Sequence, residues 1–249
     1  FSLSGALQHA SRFGMTQLNL YTLHTNLALF SNFTYFLDDP VNGDQFSQVD
    51  KRFQSAMNLS HLWVNRIGGL EVENTAGIQF QNDVIDNGLL STKQRQTLST
   101  TRKDHINQNS IGLYYQNSIQ WLEKFRSVAG VRSDYYWFDV SSHQAVNSGK
   151  RYDSITNPKI SLIFGPWAQT EFYFNYGGGF HSNDARGTTT TVDPKSGDPV
   201  NRVNPLVRST GYEVGVRTAI VPGLQASFAA FRLDMDSELL FVGDAGTTE

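Results

Sequence analysis

The sequence contains no cysteine, which removes disulfide frames, thiolate nucleophiles and cysteine metal sites from consideration. No stretch approaches the roughly 20 apolar residues of a membrane helix. Apolar spacing of three and four residues rarely lasts two turns, so a helical architecture lacks its signal. Charge is sparse as well: 17% of the 249 residues are Asp, Glu, Lys or Arg, where a soluble domain carries about a quarter. The net charge of −3 is too small to point to nucleic acid or to an anionic surface as a partner. Nucleotide-binding loops and nucleophile elbows are missing, and Gly177-Gly178-Gly179 has no helix start behind it. The chain opens at Phe1 without an initiator Met or leader and stops at Glu249 in a Gly-Thr-rich stretch. Both ends are therefore expected to be cuts in a longer protein.

What the chain does have is aromatic residues, 12% of the total, set in runs of alternating polarity. Side chains alternate between the two faces of a strand, so each run defines two rows. Phe172, Phe174, Tyr176 and Phe180 oppose Glu171, Tyr173, Asn175, Gly177 and His181. Between Leu224 and Val242, Phe231, Leu233, Met235, Leu239 and Phe241 oppose Arg232, Asp234, Asp236 and Glu238. Such a charged row is untenable in a soluble core and suits a wet lumen, with the apolar row against lipid. Val131, Tyr135 and Trp137 against Arg132, Asp134 and Tyr136 repeat the pattern, as do Tyr212, Val214 and Val216 against Glu213, Gly215 and Arg217. The segment from Gln17 to Tyr35 slips phase near Thr22. About ten strands are expected, in an all-β, antiparallel up-and-down meander.

The connections alternate in length. Short ones are expected at Arg12-Phe13-Gly14, Ile67-Gly68-Gly69, Leu122-Glu123-Lys124, Gly165-Pro166-Trp167 and Val221-Pro222-Gly223. Long polar ones are expected near 38–48, 87–104, 141–156, 182–204 and from Gly243 onward. Outer-membrane barrels show this asymmetry, with tight periplasmic turns and long external loops. Trp63, Trp121 and Trp167 sit beside short turns, where an interfacial aromatic girdle belongs.

The second half carries a more specific signal. Asn157-Pro158-Lys159-Ile160-Ser161-Leu162, then Tyr176-Gly177-Gly178-Gly179-Phe180-His181 and Ser182-Asn183-Asp184-Ala185-Arg186, followed by Pro205-Leu206-Val207-Arg208 and Asp236-Ser237-Glu238-Leu239-Leu240, stand in an ordered series. This series resembles the middle of TonB-dependent receptor barrels. The resemblance implies that residues 1–249 are part of a 22-stranded barrel whose N-terminal plug lies outside this sequence. It also implies residence in the outer membrane of a Gram-negative bacterium, contact with its lipid, and active import of a scarce nutrient such as a ferric siderophore, cobalamin or haem. Energy would arrive from the TonB complex through an N-terminal region not in this chain. A passive pore or adhesin, and a barrel enzyme, are the competing classes.

Candidate site residues fall in two groups. Phe180, His181, Asn183, Asp184 and Arg186, with Tyr35 and Phe36 as aromatic walls, are candidates for ligand capture, because loops on rigid scaffolds carry binding and Arg takes carboxylates bidentately. Arg132, Asp134, Glu213, Arg217, Arg232, Asp234, Asp236 and Glu238 are candidates for a lumen-facing row that meets the plug, against the simpler reading of cross-strand pairs that stabilise a wet wall. Asp38, Asp39 and Asp44 offer oxygen ligands to Ca²⁺, with loop solvation the plainer reading. No two of the six histidines have local metal-ligand spacing, although His105 and His181 lie near the same predicted end. No catalytic residues, cofactor or structural metal are expected.

Overall fold

The computed structural model describes residues 1–237, 241–242 and 247–248. Ten strands form one antiparallel sheet in strict chain order. They are β1 (Ser2–Ser11), β2 (Gly14–Ser31), β3 (Phe46–Ile67), β4 (Leu70–Lys93), β5 (Gln96–Leu122), β6 (Phe125–Ser142), β7 (Gly149–Trp167), β8 (Thr170–Ser182), β9 (Leu206–Thr218) and β10 (Ala226–Met235). A 3₁₀ turn (Ala145–Asn147) and a five-residue helix α1 (Ala185–Thr189) lie in the connections, and β11 (Phe241–Val242) pairs with β12 (Thr247–Thr248). The expected run from Leu224 to Val242 is thus β10 followed separately by β11. Glu238, placed by the sequence in the charged row, lies outside the described residues.

Register turns the alternating runs into continuous rows across strands. Leu7, Leu18, Leu59, Ile78 and Leu113 are successive cross-strand partners on β1 to β5. Phe125, Phe164, Phe172, Val216 and Phe228 do the same on β6 to β10. These side chains form one outward face, and it is open: Leu7 is 66% exposed, Val214 53% and Phe228 71%. A belt of apolar side chains across ten strands far exceeds the patch a water-soluble surface tolerates. It requires an apolar neighbour. Trp63, Trp121 and Trp167 fall on this outward face near the turn end, with Trp121 Nε1 donating to Ser127 Oγ at 2.7 Å and Trp167 beside Phe172. Tyr135 and Trp137 border the belt at the other end. From Ser127 to Trp137 is about ten residues at ~3.4 Å each; with a strand tilt of about 40° the belt is roughly 26 Å tall, the height of a membrane barrel's apolar band.

Three expected connections are corrected, the first being the long loop near 141–156: its second half belongs to β7 and pairs with β6, which leaves 143–148 between the strands. The long loop expected near 87–104 is a continuation of β4 and β5, closed by a two-residue turn at Gln94-Arg95. Both residues have positive φ (52° and 66°), the twist that tight hairpins use. Above the belt neither face must alternate in polarity, so the pattern fades while backbone pairing continues. The turn expected at Gly165-Pro166-Trp167 closes instead at Ala168-Gln169, and Gly165-Pro166 marks a register shift between β7 and β8. The phase slip near Thr22 is not structural, because β2 pairs without a break from Met15 to Ser31. Leu18 and Leu20 share the outward row, whereas Leu23, Leu27 and Leu29 fall on the inward one by register.

Candidate functional site

The inward face is polar at the level of the belt. Arg132 and Asp134 are neighbours on one row of β6. The guanidinium gives Nε to Asp134 Oδ2 at 2.8 Å and Nη2 to Oδ1 at 2.6 Å, while Nη1 crosses β5 to reach Gln79 Oε1 at 2.6 Å. The crossing is possible because Gly112 has no side chain; a Cβ there would overlap the guanidinium. Two further glycines work alike, with the Tyr114 ring lying over Gly77 and the Tyr173 ring over Gly215. Lower on the wall Arg217 bridges Glu171 at 2.6 Å and Asn175 donates to Glu213 at 2.9 Å.

Register moves β10 out of that pattern. Phe231 pairs with Glu213 and Leu233 with Gly211, both on inward rows, whereas Arg232 pairs with Tyr212 on the outward row. Arg232 and Asp234 therefore line the outward face, bridged to each other at 2.9 Å, and the expectation that they face the lumen is corrected. Asp236 lies just past the end of β10, its N–H donating to Arg208 O. Alternation defines two rows but not which is which, and Tyr212 shows that Arg232 sits at the aromatic rim of the belt rather than within it.

At the outer end β8 departs from the sheet. Its pairing with β7 ends at Gly177 and Lys159, because the next β7 residue, Pro158, has no N–H to donate. Pairing with β9 continues to Ser182 and Leu206. The freed end leans over the inward face: a Cβ on Gly178 would come 2.9 Å from Asn157 Oδ1, and the Phe180 ring meets Tyr136 edge-on at 5.9 Å. Phe180 keeps its place in the row of Tyr176, yet packs on an inward-facing partner. His181 stands opposite Val207.

Residues 183–205 follow β8 inward and rest on the wall. Ala185 joins Ile85, Ile106, Phe138 and Val140 in an apolar cluster, of which Phe138 and Val140 are 1% exposed. Asp184 caps α1 by accepting Arg186 N–H at 2.9 Å. Arg186 returns Nη2 to Asp184 at 2.5 Å and sends Nη1 to Asn87 on β4. Arg102 on β5 binds Asp104 and donates to Thr190 Oγ1 at 3.1 Å. Buried Asn147 serves the same loop as a backbone strand would, donating to Val192 O and accepting from the N–H groups of Thr191 and Val192. Burial works against the charge on Asp184, but the hydrogen bonds and positive charge of Arg186 prevail and hold its carboxyl below the usual range. Asn183 is taken up by Asn204 O at 2.7 Å.

Asp184 and Arg186 are thus brought together as predicted candidates, but with their polar atoms already engaged. Tyr35 and Phe36 belong to the separate 32–45 loop and are 69% and 58% exposed. That loop is built on carboxylates: Asp44 accepts from the N–H groups of Leu37, Asp38 and Asp39, and Asp39 from those of Val41 and Asn42. Among the described residues no group of three or more His, Asp or Glu side chains could hold a metal ion, so the Ca²⁺ reading of Asp38, Asp39 and Asp44 gives way to this turn-building role. His105 pairs with Asp86 at 2.8 Å on the outward side and has no part in a site with His181. Alternation puts Tyr173 and Gly215 in polar rows but does not pair them, and it leaves Tyr114 and Gly77 unmarked; the signal for both pairs is a strand glycine facing an aromatic on the next strand. Arg126, which no alternating run included, also lies on the inward wall.

The family model described as TonB dependent receptor-like, beta-barrel matches residues 1–249. No curated relative matches the chain. Among solved structures, the unliganded ferric citrate transporter FecA superposes with a TM-score of 0.74 at 12% identity, over 94% of this chain and 34% of that one. BauA, the ferric preacinetobactin receptor from Acinetobacter baumannii, gives 0.71 at 12% identity, over 93% and 36%. The copper transporter OprC gives 0.70 at 13% identity, over 96% and 39%. This chain spans about a third of the length of each. At these identities the structures establish the fold, and the family model establishes the kinship: the chain belongs to the TonB-dependent receptor β-barrel family.

Proposed function

We propose that this chain is a section of the wall of a Gram-negative outer-membrane receptor that captures a scarce nutrient and imports it with energy supplied through TonB. The observation that carries the reading is the two-sided wall. Its outward face is an apolar belt of membrane height bounded by aromatics, and its inward face carries Arg132, Asp134, Glu213 and Arg217. Family membership and the names of the similar structures, which include transporters and receptors for ferric citrate, ferric preacinetobactin and copper, support import over catalysis. In the intact receptor the inward pairs would meet the plug, and the ligand would be held in the outer vestibule between the 183–205 and 32–45 loops. Lys195 and Asp38 already join those loops at 3.4 Å. Among the described residues the side chains of Phe180, His181, Tyr35 and Phe36 make no hydrogen bond, whereas Asp184, Asn183 and Arg186 shape the vestibule.

The test is uptake by cells that carry the intact receptor as their sole route for a panel of labelled ferric siderophores, cobalamin and haem. Uptake of at least one compound should depend on both the receptor and TonB. Binding without import in TonB-deficient cells fits the proposal. Uptake unchanged by loss of TonB would overturn it in favour of a passive pore.

A further inference from the structure

The outward face changes character over two rows just above the belt. The row of Met57, Phe80, Ile111, Tyr135 and Ser154 borders the belt. The next outward row is Ser55, Asn82, Asn109, Trp137 and Tyr152, and the one beyond it is Phe53, Val84, Asn107, Asp139 and Lys150. On β5, at ~3.4 Å per residue and a tilt of about 40°, these two rows stand roughly 5 and 10 Å above the hydrocarbon. The polar layer of a phospholipid bilayer is about 5–7 Å deep on each side, so the upper row stands beyond the reach of a phospholipid headgroup.

Three amides fill the centre of this patch. Asn107 Oδ1 accepts from Asn82 Nδ2 at 2.9 Å and from Asn109 Nδ2 at 3.0 Å, and Asn82 Nδ2 also donates to Asn109 Oδ1 at 2.8 Å. These bonds fix the orientation of the amides. They leave Asn107 Nδ2 as a donor and Asn82 Oδ1 as an acceptor with no partner among the described residues. Trp137 stands opposite Asn109 and Tyr152 opposite Trp137, and both rings are exposed. Charge is sparse. On the two rows only Asp139 and Lys150 carry it, and they pair with each other at 2.9 Å. One row further out Asp86 pairs with His105 at 2.8 Å, and Lys51 lies on β3, two strands from Asn107. A phosphate is recognised by unpaired cations. A sugar is recognised by a neighbouring donor and acceptor for its hydroxyls and by an aromatic ring for its C–H face. The patch offers the second set.

We propose that the Asn82–Asn107–Asn109 patch holds the sugar headgroup of a membrane glycolipid whose acyl chains lie on the belt below. The commitment to a lipid follows from continuity, because the amides pass through Ile111 and Tyr135 into the apolar rows without a break. The commitment to a sugar head follows from the height of Asn107 and the neutrality of the donor and acceptor. From the functional reading the proposal takes only the placement of the belt in a bilayer.

The probe is digalactosyl diacylglycerol, a neutral lipid with a disaccharide head, set against phosphatidylglycerol and phosphatidylcholine with the same acyl chains. Each is titrated into the intact receptor in detergent micelles, and the one-lipid complex is counted by native mass spectrometry. The glycolipid should bind on the order of tenfold more tightly than either phospholipid, as two or so added hydrogen bonds allow. Asn82→Leu with Asn107→Leu should remove that preference, and Trp137→Ala should reduce it. Asn26→Leu, on the outward face of β2, and Lys51→Gln should leave it in place. Variants are compared only where heat-modifiable migration shows a folded barrel, and Asn107→Ala alone serves if the double variant does not fold. Equal affinity for the three lipids would overturn the proposal, as would a preference for phosphatidylglycerol that Lys51→Gln removes. So would a glycolipid preference unmoved by the changes at Asn82 and Asn107, or equally tight binding of digalactosyl glycerol without its chains. None of these measurements involves uptake, so their failure leaves the transport reading standing; uptake indifferent to TonB would sink that reading without changing the lipid counts.

Discussion

The sheet at belt level and the sheet above it are the same ten strands under two different rules. Within the belt, stability comes from a simple sorting of side chains, apolar outward and polar inward, and almost any apolar residue of suitable size serves. Above it, particular contacts hold the structure: the apolar cluster around Phe138, the Asp184–Arg186–Asn87 chain and the Asn147 amide that pairs with the 183–205 loop. The lower region is specified by composition along a row. The upper one is specified by partners far apart in the chain.

That contrast can be broken most forcefully in the upper region. Phe138→Ala, which empties the centre of the apolar cluster, should cost about 3–5 kcal/mol, read as a lower urea midpoint of the outer end and earlier proteolysis of residues 183–205. In the belt the matching experiment is Leu113→Arg, a charge on the outward face, with an expected cost of about 2–4 kcal/mol in bilayer folding measurements. Arg placed inward at Ser110 on the same strand should cost little, and equal costs at both sites would erase the distinction between the faces. Arg186→Met should come next. Its removal strands Asp184, but the two side chains are 25% and 45% exposed, so the loss is about 1–2 kcal/mol rather than that of a sealed pair.

Acid probes the same latch without mutation. The carboxyl of Asp184 is lowered in the folded protein, so the stability it contributes is complete above its unfolded value of about 4. It is lost as pH falls from there through the lowered folded value. Nicking of residues 183–205 by an acid-active protease should rise below about pH 4, with no change between pH 6 and 8. Arg186→Met should abolish the dependence. Least of all should Lys195→Ala matter: its pair with Asp38 is open to water at both ends and contributes at most about 0.5 kcal/mol.

The same division explains what could be read from residue order. The ten strands, the belt and the short turns at Arg12-Phe13, Gly68-Gly69 and Glu123-Lys124 follow from alternation and turn chemistry, which are local. The face of β10 was misjudged because Arg232 and Asp234 alternate with apolar residues as perfectly as Arg132 and Asp134 do; only the cross-strand partner Tyr212 distinguishes them. The β4–β5 extension was read as loop because polarity stops alternating where the chain leaves the belt. The latch is beyond sequence patterning altogether, since Arg186 and Asn87 are 99 residues apart. Asp184 and Arg186 are candidates for ligand capture by residue type, and residue type alone does not separate a ligand-binding arginine from one that anchors its own loop.

In the receptor proposed above, the β4–β5 hairpin reaches well outside the membrane. β5 contains 27 residues, and about 15 of them, from Gln96 to Ser110, lie beyond the row of Ile111 that borders the belt. At ~3.4 Å per residue and a tilt of about 40° they lift the Gln94-Arg95 tip roughly 40 Å clear of the hydrocarbon. A tight turn closes it, and the neighbouring 32–45 loop braces its tip, with the Arg95 N–H donating to Gln45 Oε1 at 2.9 Å and Lys93 Nζ to Val41 O at 3.1 Å. In that receptor, a particle as broad as an antibody or a phage tail would meet these two braced loops on its way to the mouth, and a peptide grafted between Gln94 and Arg95 would be displayed there.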